Sequence, residues 1–271
     1  MGGRGMAYIT RNDMRQGFPF NYDDEVENDP ETEIKTSVFE KLKKLHISTR
    51  SSTDEMDDMV LEQQSNIVYD IAKKYNKILK YGTKTTEMMF QKKERVRGIA
   101  AVTPFIKDNE LALRLYMNND YFKNTDYNSK DDFSKVIERN IDSGWFAPIN
   151  KINTRKYILT HEMGHVIESN IIWKIAKDKN IQWRGNSFMG EQSFEIATKI
   201  KNEVIKIWKE KYTNKSKDDI IEISNYSKAH YRNYPDHRPF EWFAETFANL
   251  QLADEPAPIA KALDEYIRGY M

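Results

Sequence analysis

His161-Glu162-Met163-Gly164-His165 sets two imidazoles four residues apart, with a carboxylate directly after the first. On a helix, residues four apart lie one above the other, so this spacing aims both rings at one point and leaves Glu162 beside them. Neutral imidazole is a favoured zinc ligand, and a hydrolytic zinc keeps three protein ligands and one position for water. Glu162 then has the place of a general base, able to take a proton from that water and hand it to a leaving amine. Tyr157, Ile158, His161, His165, Ile167 and Ile171 recur at helical spacing, and Asn153 or Thr154 stands where an N-cap belongs. The stretch predicts a helix that carries two metal ligands and a base.

A third ligand must come from elsewhere. One extended form of the motif places a glycine three residues after the second histidine and a further histidine three beyond it. Glu168 and Ile171 occupy those places, which excludes that class. Downstream, Tyr234-Pro235-Asp236-His237-Arg238-Pro239-Phe240-Glu241-Trp242-Phe243-Ala244-Glu245-Thr246-Phe247-Ala248 reads as a second buried helix. Asp236 is a candidate N-cap, Pro239 sits in the first turn, and Phe240, Phe243, Phe247 and Leu250 form an apolar stripe. Glu241 and Glu245 share one face, so at least one carboxylate is carried inward, where an acid is costly unless paired or bound to metal.

The pair HEMGH and EWFAETFA resembles the catalytic domain of the gluzincin family typified by anthrax lethal factor. There an HExxH helix is followed by a helix reading approximately E-F-F-A-E-A-F. The resemblance covers roughly residues 150–252 and implies His161, His165 and Glu241 as zinc ligands, with Glu162 as general base. It also implies Tyr234, seven residues before Glu241, as the donor that stabilises the transition state. Glu245 is expected to orient a ligand histidine. The chain departs from the family in the offset of 76 from His165 to Glu241, a longer insert than in lethal factor, which puts the substrate pocket in doubt more than the ligands.

Other ligands compete on spacing alone. Glu191 and Glu195 stand nearer the second histidine, at a separation closer to thermolysin-like enzymes, but without an aromatic-rich helix around them. His230 and His237 are candidate ligands that read more simply as solvated loop histidines, and His46 reads as surface. Tyr226, Tyr231 and Tyr234 cluster ahead of Glu241.

Composition bounds the partners. The 271 residues carry 42 Lys and Arg against 42 Asp and Glu, so no overall field gathers nucleic acid or an anionic membrane. Cysteine is absent, which leaves zinc to His and carboxylate ligands. Met1-Gly2-Gly3-Arg4-Gly5-Met6-Ala7-Tyr8 opens into polar sequence without an apolar signal segment, and no long apolar run follows. The expectation is a protein made in the cytoplasm, with carriage in a virion or export by a signal-independent route left open. Gly2-Gly3-Arg4-Gly5 resembles short segments of phage head-associated proteins.

Residues 1–36 are rich in Gly, Asn, Asp and Glu, with an acidic block from Asp23 to Glu31, and read as flexible. The polar arm is drawn through residue 50, leaving residues 51–271 as one zincin-like domain. A long helix is expected from Ser52 or Thr53 to Leu79, with Met56, Met59, Val60, Ile67, Ile71 and Tyr75 packing on that domain. Gly98–Thr103 and the period-two run Leu111, Leu113, Leu115, Met117 predict strands, and a helix follows near Asp131–Ile141. Between residues 196 and 230 the charges around Ile200, Val204, Ile205 and Trp208 read as the solvated face of a packed helix. The expected fold is α+β, with a small mixed sheet on the HExxH helix and a mainly helical C-terminal half. A sheet edge there suits an extended polypeptide substrate added as a strand. The expected function is a zinc metallopeptidase; the alternatives are a phage-associated structural protein with the same fold and a toxin-type effector protease.

Overall fold

Leu111, Leu113 and Leu115 point one way along a strand and are fully buried, because the sheet they belong to is covered on that face by helices. The computed structural model describes residues 37–51, 58–91, 99–118, 133–183, 187–212, 221–228 and 238–271. In chain order these form α1 (Ser37–Lys44), β1 (Ile47–Ser51), α2 (Asp58–Lys74), α3 (Asn76–Leu79), β2 (Thr83–Gln91), β3 (Ala100–Lys107) and β4 (Glu110–Asn118). The helices α4 (Phe133–Asp142), α5 (Tyr157–Asp178), α6 (Glu191–Lys211), α7 (Asn225–Lys228), α8 (Arg238–Leu252) and α9 (Pro258–Arg268) follow. The fold is α+β, with a small four-stranded mixed sheet and a helical remainder.

The sheet runs in the order β1-β2-β4-β3, with β1 and β4 parallel to β2 and β3 antiparallel to β4. Asp108 and Asn109 join β3 to β4 in a two-residue turn with φ of 54° and 58°. Positive φ at both central positions is the turn whose twist matches a hairpin, and Asp and Asn tolerate it best after glycine. The turn fixes the register, pairing Val102 with Leu115 and Ala100 with Met117. Asn118 N–H donates to Ile99 O, so by alternation the backbone groups of residues 100, 102, 104 and 106 face the outer edge. Pro104 sits where its missing N–H costs no ladder bond.

The two expected strands are present and longer than drawn, whereas β1 and β2 lie in sequence without an apolar alternation. β1 also moves the boundary of the expected arm. Phe39, Leu42 and Ile47 are buried in the core, so residues 37–51 belong to the fold, and only residues 1–36 of the arm lie outside the described residues. The long helix expected up to Leu79 breaks at Tyr75, whose ring is needed in the core. It packs on Phe247 with centroids 5.4 Å apart, and its hydroxyl accepts from Gln251 Nε2 at 2.7 Å. Ile71 is buried and Ile67 half-buried, while Met56 lies outside the described residues.

Helix α5 is buried on nearly every side from Tyr157 to Trp173, so its apolar residues form no single stripe. A helix apolar all round belongs at the centre of a fold, and α5 takes contacts from β3, β4, α2, α6 and α8. Its lead-in also differs from expectation. A short 3₁₀ turn over Lys151–Lys156 precedes it, and Asn150 caps that turn, its side chain accepting from Ile152 N–H at 3.0 Å. Asn153, one of the two expected caps with Thr154, instead donates to Leu252 O at 3.1 Å, because α8 lies against this segment. In α6, Ile196, Ala197, Ile200, Val204 and Trp208 are buried and Lys199, Lys206, Lys209 and Lys211 face outward, as the charge pattern predicted, whereas Lys201 is half-buried, paired with Glu222 and set over the Trp242 ring. Among the described residues no helix is long and apolar enough to cross a membrane.

Candidate metal centre

Helices α5 and α8 meet at Gly164. A Cβ added there would lie 2.9 Å from Ala244 Cα and 3.3 Å from Phe247 Cβ, so the two backbones approach as closely as they do only because the residue is glycine. Three hydrogen bonds tie the lead-in of α5 to the far end of α8. Asn249 Nδ2 donates to Pro148 O at 2.5 Å, Asn150 N–H to Leu252 O at 3.1 Å, and Asn153 to that same carbonyl. The crossing sets Glu241, in the first turn of α8, opposite the two histidines of α5.

Glu241 Oε2 lies 3.2 Å from His161 Nε2 and 3.6 Å from His165 Nε2, and the two rings stand edge to face with centroids 4.9 Å apart. One ligand atom from each of the three residues falls within 4.8 Å of the others, the only such group of metal-binding side chains among the described residues. The other nitrogen of His161, Nδ1, lies 2.9 Å from Glu245 Oε1. A carboxylate only accepts, so Nδ1 carries a hydrogen, and in the neutral ring Nε2 then keeps its lone pair. That lone pair faces Glu241 Oε2, which receives no hydrogen bond from a described residue. Two acceptors this close repel unless a proton or a cation lies between them. The donor set therefore fits a metal ion.

The electrostatics say the same of a proton in that place. Burial opposes a charge on His161, but the carboxylates of Glu241 and Glu245 outweigh it and hold its pKa well above the usual histidine range. Burial would likewise raise Glu241, yet the two imidazoles hold it far below the ordinary carboxylate value. Both shifts favour a positive charge between these groups.

Glu162, also buried, lies beside the histidines. Burial raises its pKa; the two histidines and a hydrogen bond from Val102 N–H on the edge strand β3 pull it down, and Glu241 pushes it up. Glu245 is completely buried and is served by three donors: His161 Nδ1–H, Tyr157 O–H at 2.6 Å and Ala147 N–H at 2.8 Å. Tyr226 packs edge-on to His161 with centroids 5.8 Å apart.

The other candidates stand apart. Glu191 and Glu195 are exposed at the start of α6, and Glu195 lies 3.8 Å from Lys199 one turn on, so neither joins the histidine pair. His46 is exposed in the turn before β1, with φ of 61°. His230, Tyr231, Tyr234, Asp236 and His237 lie outside the described residues. Tyr157, Ala147 and Gly164 carry the site without having been singled out in the sequence. Tyr157 stands four residues before His161, which was the available signal, but an aromatic at that place also reads as core. No protein-family model, curated protein or solved structure matches the chain.

Proposed function

We propose that the protein is a zinc-dependent metallopeptidase of gluzincin type, in which His161, His165 and Glu241 hold the ion. The observation that carries this reading is the convergence of two imidazole nitrogens and one carboxylate oxygen, two of them acceptors facing each other at 3.2 Å. Two histidines and a glutamate are the ligand set of a catalytic zinc, which keeps its fourth position for water, rather than of a closed structural one. When bound, zinc supplies a Lewis acid that lowers the pKa of a water to about 7.

The chain's own residues do the rest. Glu162 accepts the water's proton and returns it to the leaving amine, a role for which burial beside two histidines suits a carboxylate of raised pKa. Glu245 holds the His161 ring in the tautomer that leaves Nε2 free. Tyr234, by its offset from Glu241, donates to the oxyanion formed when water adds to the carbonyl. The outer edge of β3 near Val102, beside Glu162 and short of Phe105 where Ser187 already bridges, offers an extended peptide a place as an added strand, which supports polypeptide as the substrate class. A purely structural metal site has no use for the base that Glu162 supplies.

The test is paired. Protein purified without chelator is analysed for metal, then incubated with a peptide library whose products are read by mass spectrometry, beside Glu162→Gln. About one zinc per chain, with cleavage by the wild type alone, is the expected result. Wild-type protein free of metal, or equal cleavage by both, would overturn the reading.

A further inference from the structure

We propose that Tyr157 is a positioning residue of the metal centre, holding the His161 ring in place through Glu245; the proposal rests on the metallopeptidase reading above. Tyr157 and His161 are one helical turn apart on α5, so the phenol and the imidazole reach the same partner from the same face. Both donate to one atom, Glu245 Oε1, the hydroxyl at 2.6 Å and Nδ1 at 2.9 Å. The second oxygen of Glu245 accepts from Ala147 N–H at 2.8 Å, and that amide also lies 3.1 Å from the Tyr157 hydroxyl.

Helix α8 thus holds His161 at both nitrogens, with Glu241 facing Nε2 and Glu245, one turn later, facing Nδ1. The direction in which Nε2 points depends on where Glu245 Oε1 sits. Oε1 is placed by the tyrosine hydroxyl, because the side chain of Glu245 is completely buried and its other oxygen is taken by Ala147 N–H. The ring of Tyr157 is itself locked, stacked on Phe146 with centroids 4.9 Å apart and an interplanar angle of 23°. Phenylalanine would fill the same space, so packing alone does not account for the hydroxyl. A hydroxyl buried this deeply is there for its partners, and its shortest bond is to the carboxylate that orients a metal ligand.

The experiment uses the full chain, with cobalt(II) as a visible probe in place of zinc. Tyr157→Phe and Tyr157→Met, two hydroxyl-free fillings of the same space, should each raise the cobalt dissociation constant about 10-fold and shift the cobalt absorption bands. Glu245→Gln should do more, and Tyr157→Phe added to Glu245→Gln should cost little further, because the tyrosine acts through that carboxylate. Wild-type affinity and bands in Tyr157→Phe, or a loss that adds to that of Glu245→Gln, would overturn the proposal while leaving the metal site standing. Unfolding of both hydroxyl-free variants would also overturn it, since the hydroxyl would then serve the core. Wild-type protein that binds no cobalt would sink the metallopeptidase reading, and this inference with it.

Discussion

Gly164 of the HExxH helix lies directly against Ala244 of α8, leaving 2.9 Å between the place of a Cβ and the Ala244 Cα. Gly164 directly precedes His165 on one helix, and Ala244 lies between Glu241 and Glu245 on the other. Helix packing and the geometry of the His161–His165–Glu241 group are therefore coupled at one residue. Gly164→Ala must push backbone away from backbone, which costs about 1–3 kcal/mol in a packed core. Denaturant unfolding should show that loss, and metal affinity should fall as Glu241 moves off the histidines. Unchanged stability and unchanged metal content would contradict this account of the crossing.

His161→Ala, His165→Ala and Glu241→Ala should each lose most bound zinc, because two remaining ligands hold the ion poorly. Glu191→Ala and Glu195→Ala remove exposed groups on α6 and should keep it. Elemental analysis of the five variants ranks the ligands; greater zinc loss from Glu191→Ala or Glu195→Ala than from Glu241→Ala would move the third ligand to α6.

Glu162→Gln should retain zinc and lose about 10²–10⁴ in turnover, since the amide keeps the shape but cannot take a proton. Metal analysis and peptide hydrolysis on the same preparation separate the two roles. Undiminished hydrolysis would remove Glu162 from the chemistry.

Tyr234→Phe should lower kcat by about 10²–10³, the usual loss of one oxyanion donor, with zinc content and thermal stability near wild type. Tyr226→Phe and Tyr231→Phe are the controls. Full activity in Tyr234→Phe beside a crippled Tyr226→Phe would assign the donor to the tyrosine packed on His161.

Glu168 is buried on α5, and neither of its oxygens has a hydrogen-bond partner among the described residues. Burial first, and then the charge of Glu241, hold its pKa well above the ordinary range. The folded chain therefore binds this proton more tightly than the unfolded one. Stability contributed here is intact below the unfolded value of about 4.3 and is lost as pH rises toward the folded value. The loss has a ceiling of about 1.4 kcal/mol per pH unit. Glu168→Gln should flatten that decline and be the more stable protein at pH 8, as read from unfolding midpoints across pH. A decline of equal slope in both proteins would show that Glu168 is not its source.

The local geometry of the candidate site was legible in the chain because helix spacing is a local property. His161 and His165 share a face wherever that helix goes, and Glu241 and Glu245 share one on theirs. Strand β4 was legible too, since Leu111, Leu113 and Leu115 alternate strictly, and the start of β3 showed as a short apolar run, but their pairing as a hairpin was not read. β2 was not, because Thr83-Lys84-Thr85-Thr86-Glu87-Met88-Met89-Phe90-Gln91 carries little alternation and is a strand only by its neighbours on both sides.

Which acid meets the histidines was not decided by spacing; the resemblance of EWFAETFA pointed to Glu241, and the structure sets that residue beside them. Glu191, Glu195 and Glu241 were all compatible with spacing, and the choice depends on a helix crossing that brings together residues 76 apart. The same holds for Tyr157 and Ala147, 88 and 98 residues from the carboxylate they serve, and for Asn150, which caps the lead-in that Asn153 leaves to bind α8. Periodicity determines which residues share a face, since that follows from bond geometry within a turn or two. Only the packing of one helix on another, here permitted by the missing side chain of Gly164, decides which faces meet.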